Sequence, residues 1–143
     1  MALRLTMPRI LATFAVVGAL LFSAGSALAN WDDGVAAAKR GDFATAFQEW
    51  LPLAKQGDAI SQGLIGTMYA NGEGVPENPA EAVKWFSKAA EQGYADAQYN
   101  LGNMYDKGRG VSEDKAEALN WWRKAAEQGH EDANEWLEFL EAK

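Results

Sequence analysis

The sequence predicts an all-α fold, in which antiparallel helix pairs stack into an α-solenoid of about seven helices. Three observations lead to this prediction. The segment KAAEQG stands at 88–93 and again at 124–129, 36 residues later, and a weaker copy, PLAKQG, stands at 52–57. Apolar residues repeat at the same interval, and their spacing within each segment is that of an amphipathic helix. Helix-starting and helix-ending residues also recur in register.

The first 29 residues have the pattern of a cleavable secretory signal peptide. Two arginines lie within the first nine residues, an apolar run follows at 10–22, and Ala-Leu-Ala stands at 27–29. We expect cleavage before Asn30 and a location in the periplasm or outside the cell. The alternative is an uncleaved anchor, but the apolar run is short for a membrane span of about 20 residues. No stable membrane anchor is therefore expected after cleavage.

The remaining chain, 30–143, has the length of one domain and an acidic composition. Cleavage would remove two of the 13 basic residues and none of the 20 acidic ones, which leaves 11 against 20 and a net charge of −9. Because an acidic surface repels phosphate backbones, nucleic acid is not expected as a partner. The sequence has no cysteine, so the fold must be held by packing without disulfides.

The chain divides into two capping elements and two complete repeats. Helices at 31–40 and 42–56, joined by a short turn, form an N-terminal capping pair within 30–57. Two repeats follow at 58–93 and 94–129. Residues 130–143 match only the first helix of a repeat and form a C-terminal capping helix, since terminal repeats of solenoids are usually atypical.

The second helix of a repeat is clearest at 79–92. Asn78 can cap this helix, Pro79 suits its first position, and Gly93 suits its end. Its apolar face has helical spacing and consists of Ala82, Val83, Phe86, Ala89 and Ala90. In KAAEQG itself the alanines should therefore be packed, while the lysine, glutamate and glutamine should be mostly solvated.

The first helix of a repeat, predicted at 95–107, contains an interior glycine. Gly102 costs about 1 kcal/mol relative to alanine in this position, and Gly66 accepts the same cost one repeat earlier. We expect each glycine to allow close approach of a large ring from the following helix. In the last helix Glu138 takes the equivalent place, as expected where no further helix approaches.

These residues resemble those of a known family. The segment LGNMYDKGRGVSEDKAEALNWWRKAAEQGHEDA at 101–133 is similar to the Sel1-like repeat (SLR), a relative of the tetratricopeptide repeat, and 64–93 is a weaker copy. The resemblance implies a right-handed superhelix whose first helices line a concave face. The N-terminal pair lacks the Gly-x-Gly-Val loop and is closer to a tetratricopeptide repeat.

Catalytic and metal-binding patterns are weak. His130, the one histidine, follows Gly129 and suits a helix boundary better than catalysis. Glu131, Asp132 and Glu135 lie near it, but acidic residues are common in the first turn of a helix. The loops GEGV at 72–75 and GRGV at 108–111 follow helices instead of strands, so they predict connections with a packed valine and no phosphate site. We therefore expect no enzyme, cofactor or metal.

The six tryptophans raise the possibility of sugar stacking. Four of them occupy repeat-matched core positions and are interpreted as structural: Trp50, Trp85, Trp121 and Trp122. Trp31 and Trp136 lie in the capping helices and are less constrained, so carbohydrate binding remains open.

The candidate binding residues lie on the predicted outer face of the first helices. These are Thr67, Tyr99, Asn103, Asp106 and Phe139, and the same face includes Gly63, Ala70, Glu135 and Ala142. Tyr99 and Phe139 could serve as aromatic anchors while Asn103 bonds a peptide backbone. A ligand, the chain end or a second copy could cover Phe139.

The leading hypothesis is a non-catalytic exported adaptor or scaffold, which binds a protein or peptide in the concave groove. Because the chain is acidic, the expected partner is neutral or basic. The alternative is a peptidoglycan- or β-lactam-binding protein with possible hydrolase activity. Secreted members of the resembling family that are linked to penicillin binding contain paired cysteines, which this sequence lacks. A structural oligomer is a third possibility.

Overall fold

The computed structural model describes residues 30–142, and this part of the chain forms seven helices and no strand. The signal-peptide prediction falls on residues 1–29, outside the described residues. The helices are α1 (Asn30–Lys39), α2 (Phe43–Lys55), α3 (Ala59–Asn71), α4 (Pro79–Glu91), α5 (Ala95–Lys107), α6 (Lys115–Glu127) and α7 (Glu131–Glu141). The bounds of α1, α2, α4, α5 and α7 agree with the predicted ones to within a residue or two. None of the described helices is long and apolar enough to cross a membrane.

Helices pack in chain order, as the repeat predicts. The main helix contacts join each helix to its neighbour in the chain, most extensively within the pairs α1–α2, α3–α4 and α5–α6. Two apolar clusters form the core, one centred on Trp50 and Ile65 and the next on Phe86 and Leu101. The predicted all-α solenoid of helix pairs is confirmed.

The two repeat-matched interior glycines, Gly66 and Gly102, each receive an aromatic ring from the second helix of the pair. A Cβ atom added to Gly102 would lie 2.5 Å from Nε1 of Trp122, and one added to Gly66 would lie 2.7 Å from the Phe86 ring. No side chain fits at such distances, so the predicted close approach is confirmed. Gly34 meets Trp50 in the same way. The sequence comparison missed Gly34 because it stands 32 and not 36 residues before Gly66.

The glutamine of KAAEQG is exposed, as the sequence predicts, and it also makes a hydrogen bond within the fold. The side-chain Nε2 of Gln128 donates to Oε1 of Gln98 over 2.8 Å, and Nε2 of Gln98 donates to the carbonyl of Ala90 over 3.1 Å. Gln98 is 4% exposed, so it finds its partners within the protein. Its bond to Ala90 joins it to the preceding repeat, and its bond to Gln128 joins it to the end of its own repeat. The same two bonds recur one repeat earlier among Ala54, Gln62 and Gln92.

The helix N-caps and the connecting loops have the structures that the sequence predicts. The side chain of Asn78 accepts a hydrogen bond from the Glu81 amide over 3.1 Å, and Asp114 caps α6 in the same way. Val75 and Val111 of the glycine loops pack against the two core clusters. The loops are therefore helix connections with a packed valine, as expected.

Candidate binding face

Two cavities lie beside the first helices of the repeats. The α5–α7 cavity has a volume of about 350 Å³ and is lined by α5 and α7. The α3–α5 cavity has a volume of about 240 Å³ and is lined by α3, α5 and the ring of Phe86 from α4. We call the surface that carries both cavities the binding face. Helix α5 separates the two cavities, because it contributes Tyr99 to one and Asn100 and Asn103 to the other.

The α5–α7 cavity unites the two predicted aromatic anchors. Tyr99 of α5 and Phe139 of α7 both line it, although 40 positions separate them in the chain. The remaining lining residues all come from α7 and are Asp132, Glu135 and Trp136. The cavity is therefore aromatic on its walls and acidic at its polar positions.

Stacking on a buried ring orients Trp136. Its indole lies parallel to that of Trp122, with centroids 5.8 Å apart and an interplanar angle of 8°. Trp122 is 3% exposed, and its Nε1 donates to Oδ1 of Asn103 over 3.2 Å. Phe139 then meets Trp136 edge-on at 5.8 Å and 86°. The aromatic wall of α7 is thus built outward from the core of the last complete repeat.

His130 orients the opposite wall. Its ring stacks on Tyr99 with centroids 4.6 Å apart and an interplanar angle of 23°. Its Nδ1 accepts a hydrogen bond from the Ala133 amide over 3.3 Å, which caps α7, and its Nε2 lies 3.4 Å from Oδ1 of Asp96. The predicted helix-boundary role of His130 is confirmed, and the histidine also fixes the position of a cavity residue.

The α3–α5 cavity has a mixed polar and apolar lining, which includes two further predicted residues, Thr67 and Asn103. Its side chains include amides and two cations. Arg109 donates to Oε1 of Glu77 over 2.7 Å and to the carbonyl of Ala70, so its guanidinium is anchored to the preceding repeat. The other polar lining residues are Asn71, Asn100 and Lys107.

Asp106 differs from the other predicted residues because it lines neither cavity. Its carboxylate lies 2.9 Å from Nζ of Lys115 at the start of α6. The hydrogen bond to Asp106 raises the pKa of Lys115. We therefore interpret Asp106 as a residue that ties α5 to α6.

Two residues predicted to point outward are buried instead. The ring of Tyr94 covers Gly63, and an added Cβ would lie 2.6 Å from it. Burial, together with a hydrogen bond to Asp96, raises the pKa of Tyr94 to about 12. Ala70 is 7% exposed and belongs to the second core cluster. The prediction for Gly63 and Ala70 was wrong because neighbouring repeats cover this side of α3.

Two of the predicted binding residues, Asn103 and Thr67, also make hydrogen bonds within the fold. Asn103 accepts the hydrogen bond from Trp122, which leaves its amide nitrogen for a ligand. The hydroxyl of Thr67 donates to the carbonyl of Gly63 over 3.1 Å within α3. Asn103 therefore holds the Trp122 ring through a hydrogen bond and also lines the α3–α5 cavity.

Sequence reasoning missed Asn100, and it considered Trp136 only for sugar stacking and not for the outer face. The two are equivalent residues of successive repeats. The sequence comparison placed only the positions of Tyr99, Asn103 and Asp106 on the outer face. The next position along the helix is Leu64 in α3, Asn100 in α5 and Trp136 in α7. The different side chains at this position in the three helices were the sequence signal that could have identified Asn100 and Trp136 as candidate binding residues.

No group of three or more His, Cys, Asp or Glu side chains within residues 30–142 could hold a metal ion. The acidic start of α7 carries Glu131 and Asp132 in the first turn of the helix. Carboxylates are favoured at that position for this electrostatic reason.

Comparison with known proteins identifies the repeat. The model of the Sel1 repeat family matches residues 59–94 and 95–130, which together make up half of the chain. Each match begins one residue after the boundary predicted from the sequence. Among curated proteins, none is significantly similar to this chain.

Solved structures agree with this match. A Sel1 repeat protein from Oxalobacter formigenes is 40% identical, with a TM-score of 0.72 over 80% of this chain and 44% of its own. A protective antigen of uropathogenic Escherichia coli strains, which displays an SLR fold, is 34% identical, with a TM-score of 0.75 over 82% of this chain and 26% of its own. This chain thus spans less than half the length of either protein.

A more distant structure shares the fold alone. Cysteine rich protein B of Helicobacter pylori is 22% identical, with a TM-score of 0.64 over 80% of this chain and 87% of its own. The repeat matches, the glycine–ring contacts and the seven stacked helices lead to one assignment. The chain belongs to the Sel1 repeat family.

Proposed function

We propose that this protein is a non-catalytic interaction module, which holds a segment of a partner protein against the binding face. Sel1 repeat proteins are generally non-catalytic scaffolds that bind other proteins. Our proposal goes further, because it assigns the binding role to a particular surface of this chain. It also retains export through residues 1–29, which mass measurement of the protein from the periplasm would test by finding a chain that begins at Asn30.

One observation carries the proposal: the cavities are lined mainly by positions that differ between repeats. Thr67, Asn103 and Phe139 are equivalent in sequence, yet they present a hydroxyl, an amide and an aromatic ring. By contrast, the positions that form the core repeat closely, as Gly66 and Gly102 do. Where packing does not fix the residue, a change of chemistry along one surface is what selective binding of an extended segment requires.

The shape of the binding face suits a chain more than a compact ligand. Two separate cavities flank α5, so a segment that crosses this helix could place one side chain in each. The amides of Asn100 and Asn103 lie where they could bond its backbone. The acidic residues Asp132 and Glu135 favour a neutral or basic partner at the α7 end.

A pull-down from an envelope extract tests this assignment. Tyr99→Ala combined with Phe139→Ala removes both predicted anchors of the α5–α7 cavity. We expect recovery of the main partner to fall about tenfold or more, because aromatic anchors in cavities dominate binding energies. Recovery is measured by quantitative mass spectrometry against the wild-type protein.

The matched control is Phe43→Ala, which removes a ring of similar exposure from the start of α2, away from both cavities. This variant should recover the partner as the wild type does. Equal recovery by the double variant, with its helical content unchanged in circular dichroism, would contradict the assignment of the binding face.

A further inference from the structure

We propose that the α5–α7 cavity is a pocket for one cationic side chain, lysine or arginine, of the bound segment. This inference rests on the proposed function and specifies the chemistry that the partner must offer. Three features of the cavity lead to it: its aromatic walls, its acidic residues and its size.

The first feature is the arrangement of the rings. Tyr99, Trp136 and Phe139 surround the cavity, and each of them has a defined partner that orients it. Tyr99 stacks on His130, and Trp136 stacks on the buried Trp122. Ring faces attract cations through their quadrupoles, and rings that are already oriented lose little entropy on binding.

The protein uses the same attraction elsewhere. The Nζ atom of Lys88 lies 4.6 Å from the centroid of the Trp85 ring, and that of Lys124 lies 4.1 Å from the centroid of the Trp121 ring. These pairs recur at the repeat interval, on the second helices. The aromatic wall of the cavity contains no such lysine among its lining residues.

The second feature is the charge of the lining. Both of its ionisable carboxyl residues, Asp132 and Glu135, come from α7, and no basic residue lines the cavity in the described part of the chain. A neutral apolar side chain would gain nothing from these carboxylates. An acidic side chain would be repelled by them, so the electrostatic complement is a cation.

The third feature is size. A volume of about 350 Å³ lies near the lower end of the range for small-ligand pockets, about 300–1,000 Å³. One long side chain suits such a cavity better than a folded element of a partner. An aliphatic stem could pack on Trp136 while the charged end reaches Asp132 or Glu135.

Nuclear magnetic resonance with small probes tests the pocket directly. The ¹⁵N-labelled protein is titrated with the N-methylamide of Nα-acetyl-lysine, and then with that of Nα-acetyl-norleucine, which lacks the amino group. We expect the lysine probe to shift the Trp136 indole signal and the amides of 132–139 in a saturable way. The norleucine probe should bind about threefold more weakly or worse.

Two double variants separate the pocket from the overall charge. Asp132→Asn with Glu135→Gln should abolish the preference for the lysine probe and keep the shape of the cavity. Glu91→Gln with Glu127→Gln makes the same change of net charge on the exposed surfaces of α4 and α6, and it should leave the preference intact. Added salt should weaken the lysine probe more than norleucine.

Several results would overturn the inference. Equal binding of the two probes would make the cavity an apolar pocket, and stronger shifts with N-acetylglucosamine would make it a sugar site. Absence of localised shifts at about 50 mM lysine probe would remove the pocket altogether, since side-chain sites of this kind bind in the millimolar range. If the probes fail to bind but the Tyr99→Ala/Phe139→Ala variant still loses the partner in the pull-down, the cation pocket is wrong and the binding face stands. The two proposals can therefore fail separately.

Discussion

Helices α5 and α7 occupy equivalent places in successive repeats, yet they meet different neighbours. Helix α5 packs on both α4 and α6, whereas α7 packs mainly on α6. Met104 of α5 is 4% exposed, and its equivalent in α7, Leu140, is 40% exposed. Gly102, which receives the Trp122 ring, corresponds to the exposed Glu138. The buried methionine and the glycine of the repeat are therefore present in α5, where helices pack on both sides, and are replaced in α7.

The comparison also shows where side chains can change between repeats. The outer face of α5 carries Asn100 and Asn103, and that of α7 carries Trp136 and Phe139. These four residues line cavities in both cases. Because the repeat sets the backbone, α7 can place large rings at positions where α5 has amides, and the two cavities differ accordingly.

The largest expected effect comes from filling the glycine site of α5. Gly102→Leu would force a side chain into the Trp122 ring and towards the carbonyl of Ala118, 3.1 Å from an added Cβ. We expect a loss of about 3 kcal/mol in the free energy of unfolding, despite a gain of about 1 kcal/mol in helix propensity. Thermal and urea unfolding, followed by circular dichroism, measures the loss.

Glu138→Leu is the matched change in α7. Since Glu138 is exposed and receives no ring, its effect should stay within about 0.5 kcal/mol. Equal losses in the two variants would mean that the glycine position is governed by something other than the ring of the second helix.

A smaller effect is expected from removing the two side-chain hydrogen bonds of Gln98. Gln98→Leu keeps the size of the side chain and removes both its bond to Ala90 and the acceptor for Gln128. We expect a loss of about 1–2 kcal/mol, because two hydrogen bonds are removed and each contributes about 0.5–1.5 kcal/mol. Urea unfolding at a single pH measures it.

Asn134→Leu provides the control, since Asn134 stands at the equivalent position of α7 and is exposed. Its unfolding free energy should lie within about 0.5 kcal/mol of the wild-type value. An unchanged free energy of unfolding in Gln98→Leu would show that the hydrogen bonds of Gln98 contribute specificity of packing without stability.

The repeat could be predicted from the sequence because packing imposes it. Gly102, Trp122 and the alanines of KAAEQG recur because each must fit a neighbouring helix, so a fixed interval of 36 residues reveals both the helices and their core. The caps at Asn78 and Asp114 have local sequence signals as well. These features required no knowledge of the arrangement in space.

The binding face was only partly predictable. Tyr99 and Phe139 were correctly grouped as aromatic residues of one surface, because the 36-residue interval places both positions on the same side of successive first helices. The burial of Gly63 under Tyr94 and the ion pair of Asp106 with Lys115 depend on contacts between elements. Since helical spacing describes one helix at a time, it gives no account of such contacts.

The central claim is that positions that differ between repeats bind the partner, whereas repeated positions build the scaffold. Photocrosslinking from single positions in living cells tests it most directly. A photoreactive residue is placed at Asn100 or Glu135, which line the two cavities, or at Lys84, which is exposed on α4. Asn103 is avoided, because it accepts the Trp122 hydrogen bond.

We predict that positions 100 and 135 capture the same protein, and that position 84 captures it at a level at least about tenfold lower. Mass spectrometry of the crosslinked products identifies the captured protein and measures its amount. Equal capture from all three positions, or capture from position 84 alone, would contradict the claim.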